Sequence, residues 1–280
     1  MKWLTILVLA ISSGLAQPVP DKCGSGSLPF ASIALRHPVD SLCGMSGKTT
    51  SSPNSQTQNR VKNNFCASGT PEIVTPQTLI DLQKQTLVQG GRGAEPPNRA
   101  PLQRLGEGKL VVIKAFIIEA HHADLGNGES VNCNLGDAEG NDVHIALGPS
   151  ASTEECASVT AEISPHFRPD SWDQIGDFEN CSTSGRCVVN PAVASRLQGQ
   201  VFRFTGQLFF DASHVPCPCG TGCSPSRSSL WEIHPIYNIE VCKSGAACNE
   251  RVNSDWQSFD LWWRGLHNSR PPHFHANEKN

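Results

Sequence analysis

The sequence predicts a mainly β protein stapled by disulfides, and three observations support this fold class. Several segments between residues 109 and 241 are rich in β-branched and aromatic residues, which favour strands. The chain contains 12 cysteines, and all of them follow residue 16. An apolar segment begins the sequence, which is typical of an exported protein whose cysteines become oxidised.

The first 16 residues have the pattern of a signal peptide. Lys2 precedes an apolar run from residue 3 to 10, and Gly14-Leu15-Ala16 places small residues at the two positions that a signal peptidase reads. A transmembrane anchor needs about 20 apolar residues, but Ser12-Ser13 interrupts this run. We therefore expect cleavage before Gln17, a secreted or periplasmic location, and no membrane span.

The cysteines of the exported chain are expected to form disulfides, although their spacing leaves the pairing open. The alternative is zinc, and only the C-x-C-x3-C cluster from Cys217 to Cys223 has a spacing that suggests it. This cluster lacks paired C-x-x-C motifs and lies in an oxidising compartment, so disulfides are favoured there too. The cysteines are Cys23, Cys43, Cys66, Cys133, Cys156, Cys181, Cys187, Cys217, Cys219, Cys223, Cys242 and Cys248.

Composition divides the chain into five segments. Residues 46–60 have almost no hydrophobic side chain and are predicted to be a loop or disordered. Thr75 and Pro76 predict the start of a helix with an apolar stripe that reaches Leu87, and Gly90-Gly91 predicts its end. The predicted segments are a signal peptide (1–16), a cysteine-containing, loop-rich extension (17–70), a helix and linker (71–102), a barrel (103–243) and a C-terminal helix with a tail (244–280).

The order of strands within residues 103–243 predicts the type of barrel. One long strand and two further strands precede an insertion, a short helix that opens at Asn190-Pro191, and two final strands. A single helix before the fourth barrel strand favours an OB-like five-stranded Greek-key barrel over a generic β-sandwich. The five predicted barrel strands cover residues 109–120, 130–135, 142–147, 201–210 and 230–241, and a further strand is predicted before the helix at residues 157–163.

Aromatic residues recur at helical spacing near the C-terminus. Trp256, Phe259, Trp263 and Leu266 follow Ser254, which is a suitable cap. We expect a helix here that packs its aromatic face against the barrel, in preference to an aromatic cage for a ligand.

Six short motifs occur in order along the chain: K-N-N-F-C at 62–66, G-E-G-K-L-V at 106–111, N-D-V-H-I at 141–145, S-P-H-F-R-P at 164–169, F-D-A-S-H at 210–214 and W-E-I-H-P at 231–235. Together they resemble those of a group of exported bacterial proteins with an OB-like core. The resemblance covers roughly residues 60–243. It implies the barrel and the bacterial, exported setting, and it implies no activity or substrate.

Polar residues on two predicted strands give the strongest chemical signal. The two-residue period of a strand places Asp142 and His144 on one face, and it does the same for Glu232 and His234. In both strands a carboxylate lies two residues before a histidine. This pairing suits either a divalent metal or an acid–base pair in which the carboxylate orients the imidazole.

Further candidates lie after predicted strands. His166 and Arg168 follow Pro165, and Asp211 and His214 follow the fourth barrel strand. The alternative is that these side chains face solvent or make buried structural hydrogen bonds. The candidate catalytic residues are Asp142, His144, His166, Arg168, Asp211, His214, Glu232 and His234. The candidate metal ligands among them are His144, His214, Glu232 and His234, and they would suit a divalent metal as cofactor.

The net charge of the chain argues against one class of function. A net charge of −4 provides no global positive field, so nonspecific nucleic-acid binding is not expected. Three functions remain: a binding module for an oligomeric or polar ligand (glycan, peptide, nucleotide or partner protein), a metal-assisted hydrolase of the phosphodiesterase or nuclease type, and a structural exported domain. We favour the first, because an OB-like barrel explains the strands without chemistry that no G-x-S-x-G, phosphate-loop or H-E-x-x-H motif supports.

Overall fold

A computed structural model describes most of the chain after residue 41. Predictions on the signal peptide, Cys23, Cys219, Cys223, Asn190 and the tail lie outside the described residues. Within the described part, no helix is long and apolar enough to cross a membrane. The described residues are 42–49, 52–123, 125–169, 171–172, 179–181, 187–189, 191–218 and 226–268.

Most of the regular structure is β, and the helices are short. The helices are α1 (Pro53–Lys62), α2 (Pro76–Gln85), α3 (Ala100–Leu105), α4 (Pro191–Leu197) and α5 (Phe259–Asn268). The strands are β1 (Glu72–Val74), β2 (Leu110–His122), β3 (Val143–Gly148), β4 (Val159–Ile163), β5 (Glu179–Cys181), β6 (Cys187–Val189), β7 (Val201–Phe210), β8 (Trp231–Cys242) and β9 (Trp256–Ser258).

Strands β2, β3, β4, β8 and β7 pair in this order, and β7 pairs back with β2 to close a barrel. β2 is long enough to contact two neighbours: residues 110–116 pair with β7, and residues 116–122 pair with β3. An irregularity in register between Ile117 and Glu119 bends the strand between its two partners. β4 and β8 pair in parallel, whereas the other barrel strands pair antiparallel. The predicted mainly β fold with a closed five-stranded barrel is confirmed.

Alternation along the strands fills the barrel with apolar side chains. Val143 and Ile145 of β3 are fully buried in this core, as are Ala161 of β4 and Ile233 of β8. α4, which lies between the third and fourth barrel strands as predicted, adds Leu197 to the same core. The intervening residues of β3, β4 and β8 therefore point away from the barrel interior, and many of them are polar.

Helix α2 begins as the sequence predicts. Thr75 Oγ1 accepts a hydrogen bond from the backbone N–H of Thr78 at 3.1 Å, and Pro76 occupies the first turn. Leu79 is fully buried. The helix ends at Gln85, so Leu87 lies beyond it with 93% of its surface exposed and takes no part in the apolar stripe.

The C-terminal helix packs on the core but starts later than predicted. Phe259 and Trp263 of α5 are buried in the hydrophobic core. Trp256 and Ser254 precede the helix, because the backbone of Trp256 pairs with Cys242 as part of β9. The prediction of an aromatic face packed on the barrel holds, and the predicted cap at Ser254 is wrong.

The predicted strand over residues 130–135 is wrong. Residues Ser130–Asn132 form a 3-10 turn instead. Cys133 and Asn134 have φ angles of 61° and 57°, and this left-handed backbone cannot continue a strand. Cys133 is also tied to Cys43 by a disulfide, which fixes the loop between β2 and β3 to the segment before α1.

The prediction of a loop or disorder over residues 46–60 is also wrong, because α1 begins at Pro53. Ser52 caps this helix by accepting a hydrogen bond from the N–H of Ser55 at 3.1 Å. The helix buries a stripe at the spacing i, i+3, i+4, i+7, and every residue of the stripe is polar. These residues are Ser55, Gln58, Asn59 and Lys62.

Three disulfides join described residues: Cys43–Cys133, Cys156–Cys217 and Cys242–Cys248. Cys66 is disulfide-bonded as well. The prediction of disulfides is confirmed for these positions. Cys217, the first cysteine of the cluster weighed as a zinc site, is joined to Cys156 and is therefore no thiolate ligand.

Candidate functional site

The outward-facing polar residues of β3, β4 and β8 are buried under helix α1 and the loop between β2 and β3. His144 of β3 lies opposite Glu162 of β4 in the strand register, and Glu232 of β8 lies opposite Thr160. We call the resulting group the charge cluster. Its members are Lys62, Glu129, Asp142, His144, Glu162, Asp211, Arg227, Glu232 and His234.

Glu162 lies at the centre of the charge cluster and has no exposed surface. Its Oε2 atom lies 2.6 Å from His234 Nδ1 and 3.3 Å from Lys62 Nζ. Its Oε1 atom lies 3.1 Å from His144 Nε2, without the geometry of a hydrogen bond. One carboxylate therefore contacts three nitrogen-bearing side chains from β3, β8 and α1.

Arg227 connects two other carboxylates of the cluster. It donates from Nη2 to Asp211 Oδ2 at 2.9 Å and from Nη1 to Glu232 Oε2. All three side chains are fully buried. An unpaired buried charge is strongly unfavourable. Because Arg227 pairs with both carboxyl groups, the three ionisable side chains can be buried together.

Asp211 also orients a histidine. His214 Nδ1 pairs with Asp211 Oδ2, while Asp211 Oδ1 accepts hydrogen bonds at 3.0 Å from Gln58 Nε2 and from the N–H of Ser213. The His214 side chain retains 32% exposure. With Nδ1 held by a carboxylate, Nε2 is the ring atom of His214 that remains for a ligand.

Burial opposes ionisation of every group in the cluster, and neighbouring charges determine which groups remain ionised. Burial raises the pKa of Glu162, but His144, Lys62 and His234 hold it well below its usual range. Burial likewise raises the pKa of Asp211, and His214, Lys62 and Arg227 outweigh it and hold the pKa well below normal. Both carboxyls are therefore held as carboxylates.

The pKa values of two other carboxyl groups are shifted upward. Burial and the neighbouring Glu162 raise the pKa of Glu232 well above its ordinary value, even though Arg227 contacts it. Burial and Glu129 raise the pKa of Asp142 in the same way. These environments favour protonation of Glu232 and Asp142, which limits the negative charge of the interior.

The histidines of the cluster also differ. Burial lowers the pKa of His144, but Glu162 and Glu129 outweigh it and raise the value to about 9. Burial lowers the pKa of His234, and its contact with Glu162 does not reverse the shift. The environment thus favours a cationic His144 and a neutral His234. Strongly perturbed ionisable groups of this kind gather at functional sites more often than elsewhere.

A cavity of about 670 Å³ lies beside the charge cluster, between α1 and the loops that follow β2 and β7. We call it the polar cavity. Lys62, Glu129 and His214 belong both to its lining and to the network just described. The described residues that line it include no Phe, Tyr or Trp. Its other lining residues include Thr49, Ser52, Ser55, Gln58, Asn59, Arg92, Glu95, Ser130 and Ser213.

Two residues that line the polar cavity each have one buried carboxylate oxygen without a hydrogen-bond partner among the described residues. The two atoms are Oε2 of Glu95 and Oε2 of Glu129. Glu95 belongs to the segment before α3, and Glu129 belongs to the loop between β2 and β3. Carboxylates accept hydrogen bonds only, so these two atoms require donors.

Six of the eight residues predicted from the sequence come together around the cluster and the cavity. These are Asp142, His144, Asp211, His214, Glu232 and His234. Of the four predicted metal ligands, His144 and His234 both contact Glu162, whereas His214 pairs with Asp211. These candidate residues therefore lie close together, and Glu162 is at the centre of the group.

His166 and Arg168 have other contacts. The His166 ring packs against Phe65 with centroids 4.2 Å apart. Arg168 donates to the backbone carbonyls of Ala138, at 2.8 Å, and Asn141. The Arg168 bonds hold the turn after β4 against the loop before β3, and the His166 contact joins that turn to the segment after α1.

Four cluster residues were not identified from the sequence: Lys62, Glu129, Glu162 and Arg227. Glu162 had a usable signal, since it lies on the polar face of an alternating strand next to two strands with the same feature. Lys62 begins the K-N-N-F-C motif, but its helix has no apolar stripe. Glu129 and Arg227 lie in loops, where no periodicity indicates which side chains turn inward.

Comparison with known proteins adds no family to this description. No protein-family model matches the chain, and no curated protein or solved structure is significantly similar to it.

Proposed function

We propose that the protein is an exported binding module of the OB type whose polar cavity takes a polyhydroxylated ligand such as a sugar. The observation that carries the proposal is that Glu95 and Glu129, which both line the cavity, each have one carboxylate oxygen without a hydrogen-bond partner among the described residues. A buried polar atom without a partner costs about 1–3 kcal/mol. Hydroxyl groups of a ligand would donate to both atoms.

The position of the cavity supports a binding role. OB barrels bind ligands through the face of their second and third strands and through the loops after the first and fourth strands. In this chain those loops follow β2 and β7, and they supply Glu129 and His214 to the cavity. α1 covers the strand face itself, so the cavity lies at its margin.

The chemistry of the lining favours a sugar over a nucleotide. Nucleotides are commonly held by stacking on aromatic side chains, and the described lining residues include no Phe, Tyr or Trp. The lining instead combines amides, hydroxyls, two carboxylates and two basic side chains. Hydroxyl groups, which both donate and accept, match such a mixed surface. A volume of about 670 Å³ lies within the range of ordinary ligand sites.

The exported setting rests on two features. The first 16 residues have the charge, apolar run and small residues of a signal peptide. Three disulfides join residues up to 90 positions apart, and disulfides persist in oxidising compartments. Such a protein would meet glycans outside the cytoplasm.

Isothermal titration calorimetry of the oxidised protein tests the proposal against a panel of mono- and oligosaccharides, dipeptides and nucleotides. We expect saturable binding of at least one saccharide. Glu95→Gln should weaken that binding by about tenfold or more, because the amide replaces one acceptor oxygen. Glu72→Gln, which changes an exposed carboxylate on β1, is the matched control and should have no effect. Binding of dipeptides or nucleotides alone would contradict the ligand class.

A hydrolase is the second candidate, and the Asp211–His214 pair favours it. A carboxylate that holds Nδ1 of a histidine leaves Nε2 to take a proton from water, as a general base does. Hydrolysis of model phosphodiesters, esters and glycosides by the wild type, with loss of turnover in His214→Gln, would support this function. Saccharide binding without turnover of any of these substrates would support the binding module alone.

A further inference from the structure

We infer that Glu129, His144 and Glu162 form a binding site for one divalent transition-metal ion, with Asp142 as an adjacent carboxylate. The inference does not rest on the proposed sugar ligand, although Glu129 belongs to both sites: its Oε1 atom faces His144, and its Oε2 atom is the one left without a hydrogen-bond partner. Each of the three residues offers one ligand atom, and these atoms lie within 4.8 Å of one another.

The spacing of the ligand atoms fits a small metal ion. His144 Nε2 lies 3.1 Å from Glu162 Oε1 and 3.6 Å from Glu129 Oε1. Two ligands of a tetrahedral ion with bonds of about 2.1 Å lie about 3.4 Å apart. The two measured distances fall on either side of this value.

A second observation points to an ion independently of the spacing. His144 Nε2, Glu162 Oε1 and Asp142 Oδ2 are buried and have no hydrogen-bond partner among the described residues. Buried polar atoms are nearly always satisfied, and a group of unsatisfied ones indicates a bound ion or water. A metal ion would replace the proton on His144 Nε2 and bind this nitrogen and the carboxylate oxygens together.

The scaffold holds these ligands in place. His144 and Glu162 are register partners on adjacent antiparallel strands, so their side chains lie side by side on one face. Glu129 immediately precedes the 3-10 turn that the Cys43–Cys133 disulfide ties down. Glu129 also lines the polar cavity, which gives an ion a route from solvent.

The donor set identifies the class of metal. Calcium and magnesium prefer all-oxygen ligand sets, whereas an imidazole together with carboxylates suits zinc or manganese. Seven cysteines of the described part are bonded in disulfides and supply no thiolate to the metal: Cys43, Cys66, Cys133, Cys156, Cys217, Cys242 and Cys248. We therefore expect Zn²⁺ or Mn²⁺ to bind in preference to Ca²⁺ or Mg²⁺.

Substitution of Lys62 should raise the affinity for the metal ion, whereas substitution of a ligand should lower it. The Lys62 Nζ atom lies 3.3 Å from Glu162 Oε2 and places a positive charge next to the site. Removing that charge should strengthen metal binding, because the repulsion between the ammonium group and the metal ion is lost. A variant that only damaged the fold would weaken binding instead.

The test is calorimetric titration of the full, oxidised chain with ZnCl₂ and MnCl₂ after treatment with EDTA, without any saccharide. We expect the wild type to bind one equivalent of Zn²⁺ or Mn²⁺. The affinity should be at least about tenfold lower in Glu129→Gln and in His144→Gln. Lys62→Gln should bind more tightly than the wild type. Glu119→Gln, which alters the separate His121–Glu119 pair on β2, is the matched control and should bind like the wild type.

Two results would overturn the inference: absence of stoichiometric binding to the wild type, or binding that Glu129→Gln leaves unchanged. If His144→Gln fails to fold, the Glu129→Gln variant still decides, since its side chain lies at the edge of the cavity. A protein that binds a saccharide but no metal ion would overturn this inference and leave the proposed function intact. A protein that binds the metal ion but no saccharide would overturn the proposed function and leave this inference intact.

Discussion

Arg227 donates a hydrogen bond to Asp211 at 2.9 Å, and neither side chain has any exposed surface. The guanidinium comes from the loop between β7 and β8, and it reaches Glu232 of β8 as well. A buried ion pair of this kind adds little stability compared with apolar packing, but its disruption is costly. It therefore holds Arg227 against Asp211 and Glu232.

Arg227→Met should destabilise the protein by about 3–5 kcal/mol, because two buried carboxyls lose their cation. Chemical denaturation at neutral pH measures this loss. Arg251→Met changes an exposed arginine and should shift the free energy of unfolding by less than about 0.5 kcal/mol. Equal stability of the two variants would show that the Arg227 contacts are absent in solution.

Asp211→Asn should alter how stability depends on acid. His214, Lys62 and Arg227 hold the pKa of Asp211 well below the ordinary value of 3.8 in the folded state. The carboxylate therefore stabilises the fold fully above the unfolded pKa, and this contribution is lost as the pH falls through the folded pKa.

Measured by denaturation from about pH 5 to about pH 2, the advantage of the wild type over Asp211→Asn should be constant at first and shrink below about pH 3.8. Glu139→Gln, at an exposed loop position, should show no comparable change. An advantage that grows with acidity would mean that the pKa shift has the opposite sign.

The Cys43–Cys133 disulfide should contribute more to stability than the Cys242–Cys248 disulfide. The first closes a separation of 90 residues, the second one of 6. Loop-closure entropy predicts a larger effect for the longer loop, by about 2 kcal/mol. The free energies of unfolding of the two double serine variants measure it, and a larger loss from the short loop would contradict it.

Gly206→Ala should destabilise the barrel where β7 approaches β8. A methyl group at this position would lie 2.5 Å from the carbonyl oxygen of Pro235 and 2.5 Å from Ile233 Cγ2. Such overpacking costs about 1–3 kcal/mol. Gly265→Ala, with open space around it in α5, should instead stabilise the helix by about 0.5–1 kcal/mol. Thermal unfolding distinguishes the two signs.

The strands of the barrel were predictable because every second residue is apolar and faces the barrel interior. Residues 201–210 match β7 at both ends, and Val143 and Ile145 face inward while His144 faces outward, as the alternation required. The 3-10 turn at Ser130–Asn132 was missed because its apolar Val131 and the following cysteine resemble a strand locally. A left-handed backbone at two consecutive non-glycine residues has no such local signal.

Helix α1 was missed for a different physical reason. Its buried stripe has perfect helical spacing, but Gln58, Asn59 and Lys62 bury polar groups against other polar groups. Hydrophobic periodicity cannot detect such a helix. The sequence indicated the His144 and His234 strands, whereas their common partner Glu162 became apparent only when β4 was placed between them.

The most direct test of the account is an NMR titration of the isotope-labelled, oxidised protein with the saccharide that binds most tightly. We predict saturable shifts of the backbone amide signals of Glu95, Glu129 and His214, which line the polar cavity, and unchanged signals around Leu261 in α5. Shifts confined to residues away from the cavity, or no saturable shift with any saccharide, would contradict the proposal that this cavity binds a polyhydroxylated ligand.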